Sequence, residues 1–203
     1  MDAVDFAALA RGLILYAVFP VWVGAAFADW LCHRRSAIER TSGWREAALH
    51  WLLLIELAVP AAAVALLEVN ALVVCLMLGG WVLHELTTYA DLRWATGRRR
   101  VSPAEQMVHN LFELAPVVAG AMVLMLHWPA VRSLLRADGA APDFGARLDL
   151  PQIPPGQGVM VAGVLLLFVA LPYAEELARC LRVARAAARA RQARGHDPHS
   201  AFG

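Results

Sequence analysis

The chain contains no lysine: all 18 of its basic residues are arginine. Against 17 acidic residues they leave a net charge of +1, which gives no electrostatic footprint for nucleic acid. Charge is scarce altogether, at 17% of 203 residues, while 60% are hydrophobic, well above the fraction of soluble domains, so a soluble enzyme is excluded. The three cysteines, Cys32, Cys75 and Cys180, are far apart, and none has a second cysteine at metal-ligand or redox spacing. That argues against a disulfide framework. The N-terminal stretch carries Asp2 and Asp5 and has neither a basic segment nor a small-residue cleavage site before the first apolar run, so that run is expected to be retained. The closely spaced histidine boxes of membrane desaturases and hydroxylases are missing as well.

What is present is a series of apolar runs long enough to span a bilayer. Candidate transmembrane helices lie at 7–31, 46–67, 71–92, 104–128 and 158–180. The expected fold is therefore an all-α integral membrane protein with five transmembrane helices. Arg34, Arg35, Arg40 and Arg45 lie between the first and second spans, and Arg93, Arg98, Arg99 and Arg100 between the third and fourth. By the positive-inside rule both links are cytoplasmic, which puts the N-terminus outside and the C-terminus inside an inner (cytoplasmic) membrane. Glu68-Val69-Asn70 is short enough only for a turn, so the second and third spans form a tight hairpin.

Four units follow. Residues 1–128 make a four-helix membrane bundle, 129–157 a non-cytoplasmic loop, 158–194 the fifth span with a basic extension, and 195–203 a disordered tail. The loop carries Arg132 and Arg136 on a short helix and then Pro142, Pro151, Pro154 and Pro155. Beyond Glu175 and Glu176, the residues Arg179, Arg182, Arg185, Arg189 and Arg194 make one basic stripe, expected to rest on anionic lipid headgroups. Pro20, Pro60, Pro116 and Pro172 are expected to kink their helices.

Residues 28–60 can be laid over 90–116. Ala28-Asp29 answers Ala90-Asp91, Glu46 and His50 answer Glu105 and His109, and Glu56 through Pro60 answers Glu113 through Pro116. The first four spans thus look like two duplicated helical hairpins. Ser102, Pro103 and Glu105 have the spacing of a helix start, so a capping role competes for Glu105. Capping does not account for His109 one turn on, nor for the same spacing at Glu46 and His50.

Residues four apart share a helix face, so Asp29 with His33, Glu46 with His50, and Glu105 with His109 are paired side chains. His84 and Asp91, seven apart with Thr88 between, return to nearly one face. All these residues sit at the same ends of their spans, except that His84 lies about 10 Å deeper than Asp91, and Glu113 about 12 Å deeper than Glu105. Such groups inside hydrocarbon cost several kcal/mol unless protons, cations or a metal compensate them.

The set predicts a metal site with Asp29, His33, Glu46, His50, His84, Asp91, Glu105 and His109 as ligands and Glu113 as a catalytic proton-transfer group. Mixed nitrogen and oxygen donors suit iron, manganese or zinc, and inward carboxylates with helical Glu/His pairs suit two ions. Soluble di-iron bundles space that pair by three, so the likeness is one of ligand chemistry. Glu56 lies off the Glu46/His50 face and is expected at most to relay protons. Glu85 points elsewhere, and His127 is an interfacial anchor.

The expected function is a membrane-embedded metalloenzyme with a dinuclear centre, iron by preference, that oxidises a lipophilic substrate with electrons from a donor protein. A zinc-dependent lipid hydrolase uses the same cluster. A b-type haem electron carrier would need only two of the histidines, and an ion transporter would use the repeat. The competing structural account is a salt-bridge network in which Arg34, Arg35, Arg45 and Arg93 pair with Asp29, Glu39, Glu46 and Asp91 at the membrane edge.

Overall fold

The structure is a computed structural model and describes residues 3–136, 139, 141–149 and 155–195. Residues 196–203 of the predicted tail, and Pro151 and Pro154 of the predicted loop, lie outside the described residues. Five helices are long and apolar enough to cross a membrane: α1 (Phe6–Arg35), α2 (Trp44–Leu66), α3 (Ala71–Thr96), α4 (Pro103–Leu126) and, after the short α5 (Trp128–Leu134), α6 (Gly156–Ala193). At about 1.5 Å per residue, even the 23 residues of α2 exceed the ~30 Å hydrocarbon core. The predicted spans are all present, and the short helix carries Arg132 but ends at Leu134, so that Arg136 (φ 51°) lies beyond it. The basic extension is no separate piece, because α6 runs without interruption through Arg182, Arg185 and Arg189.

Two of the four predicted kinks take a specific form. The α1 backbone widens to a π-helical turn at Ile14–Val18, just ahead of Pro20, and α6 does the same at Leu166–Ala170, just ahead of Pro172. A proline offers no N–H to the carbonyl one turn back, and the wider turn absorbs that loss. Pro60 and Pro116 sit inside α2 and α4.

Helix α2 packs along α3, α1 packs along α4, and α6 lies across both α1 and α2. The fifth span is thus part of the bundle core. Val23, Ala25 and Ala26 of α1, Phe112 of α4, and Val169 and Tyr173 of α6 form one buried apolar cluster, with Trp22 stacked on Phe112 at 5.4 Å. Between α2 and α3 the approach is closest at Gly80. A Cβ there would stand 3.2 Å from both the Glu56 carbonyl oxygen and the Pro60 ring, and this is the carbonyl that Pro60 leaves without a helical donor. Outward-facing side chains such as Tyr16, Leu86, Tyr89 and Leu114 stay exposed, as suits a hydrocarbon solvent.

At one end of the bundle, the turn between α2 and α3 is covered by residues 141–149. Asn70 caps α3 by accepting from the Leu72 and Val73 amides, and its amide donates to the Gly145 carbonyl at 2.7 Å. Leu67 and Leu148 form an isolated antiparallel bridge, and Arg147 pairs with Glu68 at 2.6 Å and with Asp143. Asn70→Ala removes both a helix cap and a loop tie, and thermal unfolding in detergent should report a loss of about 1–2 kcal/mol. At the opposite end, Ala37 (φ 50°) ends α1 in the left-handed conformation, and a 3-10 turn at Ile38–Arg40 packs on α6. There Ile38 is buried with Ala47 and Cys180, and Glu39 pairs with Arg179.

Candidate metal centre

All eight predicted ligands converge at the end of the bundle that carries the arginine-rich links. Asp29 and His33 come from α1, Glu46 and His50 from α2, His84 and Asp91 from α3, and Glu105 and His109 from α4. Seven of the eight are buried, and the His109 side chain alone remains 26% exposed. Of the three i, i+4 pairs read from the sequence, Asp29 and His33 meet, with His33 Nε2 3.4 Å from Asp29 Oδ2, whereas Glu46 and Glu105 both turn to Arg99.

The outer part of the cluster is organised by Glu176 of α6, fully buried and not assigned to the site from sequence. Its two oxygens accept from Nδ1 of His50 at 2.7 Å and from Nδ1 of His33 at 3.0 Å. The two imidazoles stack with centroids 4.5 Å apart and planes 8° from parallel. Both Nε2 atoms therefore point the same way, toward carboxylates. His33 Nε2 faces Asp29 Oδ2 and Glu105 Oε1 at 3.4 and 3.5 Å, and His50 Nε2 faces Asp91 Oδ2 at 3.6 Å. Tyr173, also on α6, donates to Asp29 Oδ2 at 3.1 Å. The other oxygens of Asp29 and Asp91 are buried with no hydrogen-bond partner.

An inner group lies deeper. Glu113 Oε2 meets His84 Nε2 at 2.9 Å, while its Oε1 accepts from Thr88 at 3.3 Å and faces His109 Nε2 at 3.5 Å. His109 Nδ1 in turn stands 3.9 Å from Asp29 Oδ1. Asp29 thus offers one oxygen to each group. His109 belongs with His84 and Glu113 as much as with the outer layer where its depth along α4 placed it.

One guanidinium enters the cluster. Arg99, on the link between α3 and α4, is 5% exposed and contacts Glu46 Oε1 at 2.5 Å and Glu105 Oε1 at 2.6 Å through Nη2, while its Nε reaches both Glu46 oxygens. Burial opposes its charge, but the two carboxylates raise its pKa above the ordinary arginine value. Two of the four arginines of the competing salt-bridge network, Arg34 and Arg45, are engaged elsewhere. Arg34 reaches Glu175 at 3.8 Å, Arg45 stacks over Trp94, and Glu39 is taken by Arg179, while Asp29 and Asp91 face histidines. Ser102 caps α4 by accepting from the Glu105 amide at 3.1 Å. The Glu105 side chain turns to Arg99 and His33 instead of completing a capping box.

Carboxyl groups outnumber the basic groups: Asp29, Glu46, Glu56, Asp91, Glu105, Glu113 and Glu176 gather seven of them around four imidazoles and Arg99. Donor atoms held ~2.0–2.1 Å from a tetrahedral ion sit about 3.4 Å apart, close to the imidazole-to-carboxylate separations of the outer group. Among the described residues, His33, Glu46 and His50 can bring ligand atoms within 4.8 Å of one another.

Sequence reasoning missed Glu176, Tyr173, Arg99 and the inward placement of Glu56. Tyr173, Glu176 and Cys180 recur at helical spacing on one face of α6, and all three are buried. That stripe was the available signal. Glu85 stands apart, accepting from Trp81 at 3.0 Å on an exposed face, and His127 lies just before α5 at the far end. There burial and the nearby Arg11 lower the His127 pKa. Among known proteins, no family model, curated protein or solved structure matches the chain.

Proposed function

We propose that the chain is a membrane-embedded metalloenzyme whose cluster holds two metal ions, iron by preference, and oxidises a lipophilic substrate drawn from the bilayer. The observation that carries this reading is the pair His33 and His50. Each is held through Nδ1 by Glu176 and turns Nε2 toward carboxylate oxygens at 3.4–3.6 Å, so that the neutral rings would offer their Nε2 lone pairs, with those oxygens, to a cation between them. A carboxylate behind an imidazole is also how metal-binding histidines are held. His33, Glu46, His50, Asp91 and Glu105 would hold the outer ion and His84, His109 and Glu113 the inner one, with Asp29 standing between the two groups and Arg99 at the mouth.

Iron bound here would supply dioxygen activation, with electrons from a separate donor protein. The chain's own work is to bind, orient and move protons. Tyr173 fixes Asp29, Thr88 fixes Glu113, and Glu113, 19% exposed beside the partly exposed His109, is placed to exchange a proton with a bound substrate. The stacked imidazoles point the same way and so do not face each other across a plane, as two axial haem ligands would.

The duplicated-hairpin origin of the first four spans draws support from Glu46 and Glu105. They occupy first turns of α2 and α4 and share Arg99. In the proposed orientation the arginine-rich links and the basic end of α6 face the cytoplasm of an inner membrane, where Arg182, Arg185 and Arg189 meet anionic headgroups.

Plasma mass spectrometry with an optical spectrum of detergent-purified protein tests the reading. Two iron or manganese ions per chain without a Soret band is the expected result. Zinc would move the assignment to hydrolysis of a lipid, a Soret band to a haem protein, and no metal after expression in metal-replete medium would overturn it. Within the same assay, Glu105→Ala and His109→Ala should lose metal while keeping their helicity, and Glu85→Ala and His127→Ala should lose none. Equal retention in all four variants contradicts the assigned site.

A further inference from the structure

Glu56 is a carboxylate with no evident reason to lie where it does. It sits on α2 ten residues beyond Glu46, toward the middle of the span, and its side chain is 10% exposed. An acid at that depth is expensive and marks function more often than packing. One oxygen is satisfied, since Thr87 of α3 donates to Oε1 at 2.8 Å. The other, Oε2, is buried without a hydrogen-bond partner and faces His84 Nδ1, itself buried and without a partner, at 3.9 Å. Two unsatisfied buried polar atoms face each other at a distance about 1 Å too long for a hydrogen bond.

The rest of His84 gives that gap a meaning. Its Nε2 meets Glu113, which in turn touches His109. Carboxylate, imidazole Nδ1, imidazole Nε2 and carboxylate therefore follow one another from Glu56 to Glu113. The outer group has the same order from Glu176 through His33 to Asp29, and through His50 to Asp91.

We propose that Glu56 holds His84 for the inner ion, as Glu176 holds His33 and His50 for the outer one. The proposal rests on the dinuclear reading and adds a positioning residue to it. With an ion at Nε2, a neutral His84 carries its single proton on Nδ1, and a shift of the imidazole by about 1 Å brings that N–H within hydrogen-bond reach of Glu56 Oε2. Thr87 pins the carboxylate, and the close approach of α2 to α3 at Gly80 and Pro60 keeps it from withdrawing. The ring therefore moves and the carboxylate stays.

Cobalt(II) titration of the full-length protein in detergent, followed by its visible ligand-field bands with a competing chelator, tests this. The wild-type protein should take up two ions. Glu56→Ala should keep the outer ion at wild-type affinity and bind the inner one about 10–100-fold more weakly, with loss of the inner ion's bands alone. Glu56→Gln, which retains an acceptor oxygen, should recover most of the inner affinity, and Thr87→Val should lose only a few-fold. If Glu56→Ala fails to fold, as judged by helicity, Glu56→Gln and Thr87→Val carry the comparison. Two ions bound by Glu56→Ala with wild-type affinity and spectrum would overturn the assignment of Glu56 and leave the dinuclear reading intact. A wild-type protein that binds no cobalt, zinc or iron sinks that reading, and the role of Glu56 with it.

Discussion

Arg99→Ala is expected to destabilise the protein by about 3–5 kcal/mol, because it leaves two carboxylates buried with no opposite charge between them. Glu46 is fully buried and Glu105 4% exposed, and both reach the same guanidinium. Neither carboxylate has water within easy reach, so what is lost is the compensation of charge as well as a set of hydrogen bonds. In detergent the unfolding midpoint should fall by roughly 10 °C, taking the usual relation between stability and midpoint for a chain of this size. Arg98 makes a good control. It lies one residue away, stacks over Trp94 on the exposed surface, and its removal should cost no more than ~0.5 kcal/mol. Adding Glu46→Gln and Glu105→Gln to Arg99→Ala should restore part of the loss, because the acids are then neutral. If Arg99→Ala unfolds at the wild-type temperature, the guanidinium is not the counter-ion of the cluster.

The second large effect is on metal. His50→Ala removes an imidazole whose Nδ1 and Nε2 both face carboxylates, and should abolish binding of the outer ion while the inner one remains. Glu176→Ala leaves every proposed ligand in place but frees both His33 and His50 to rotate, and should weaken outer binding by about 10–100-fold. The order of the two effects is diagnostic. A ligand loss removes the ion at any metal concentration used, whereas an orientation loss is overcome by more metal. Equal, small effects from both would mean that His50 and Glu176 are a satisfied polar pair in a helix core and nothing more. Competition with a chelator, read by plasma mass spectrometry after desalting, separates the outcomes.

Much of this protein was open to reading along one strand of sequence, because the relevant signals are local. An apolar run of twenty residues spans a bilayer whatever its neighbours are. A pair spaced by four residues shares a face on any helix, which is why Asp29 with His33 and Glu105 with His109 could be picked out. Depth along each span then placed His84 and Glu113 beneath the rest, and the structure keeps both there, in contact at 2.9 Å. The Ser102 cap was legible for the same reason.

Which helix faces which is not local, and every residue missed by sequence reading depends on it. Glu176 read as the start of a surface extension because α6 was set apart from the first four spans. Its packing across α1 and α2 carries Tyr173 and Glu176 into the cluster. Arg99 looked like one of several arginines in a cytoplasmic link, and only the fold of that link between α3 and α4 turns it inward while Arg98 stays on the surface. Glu56 was set aside as a ligand by its angle on α2, an angle that does not report the His84 and Thr87 side chains it meets across the α2–α3 interface. Sequence by itself determined the number of spans and picked out the eight polar residues that the structure gathers at one end of the bundle, since each follows from hydropathy or helical period. Tertiary structure alone decided how that charge is balanced, because the compensation of a buried charge comes from whatever group packing brings within a few ångströms.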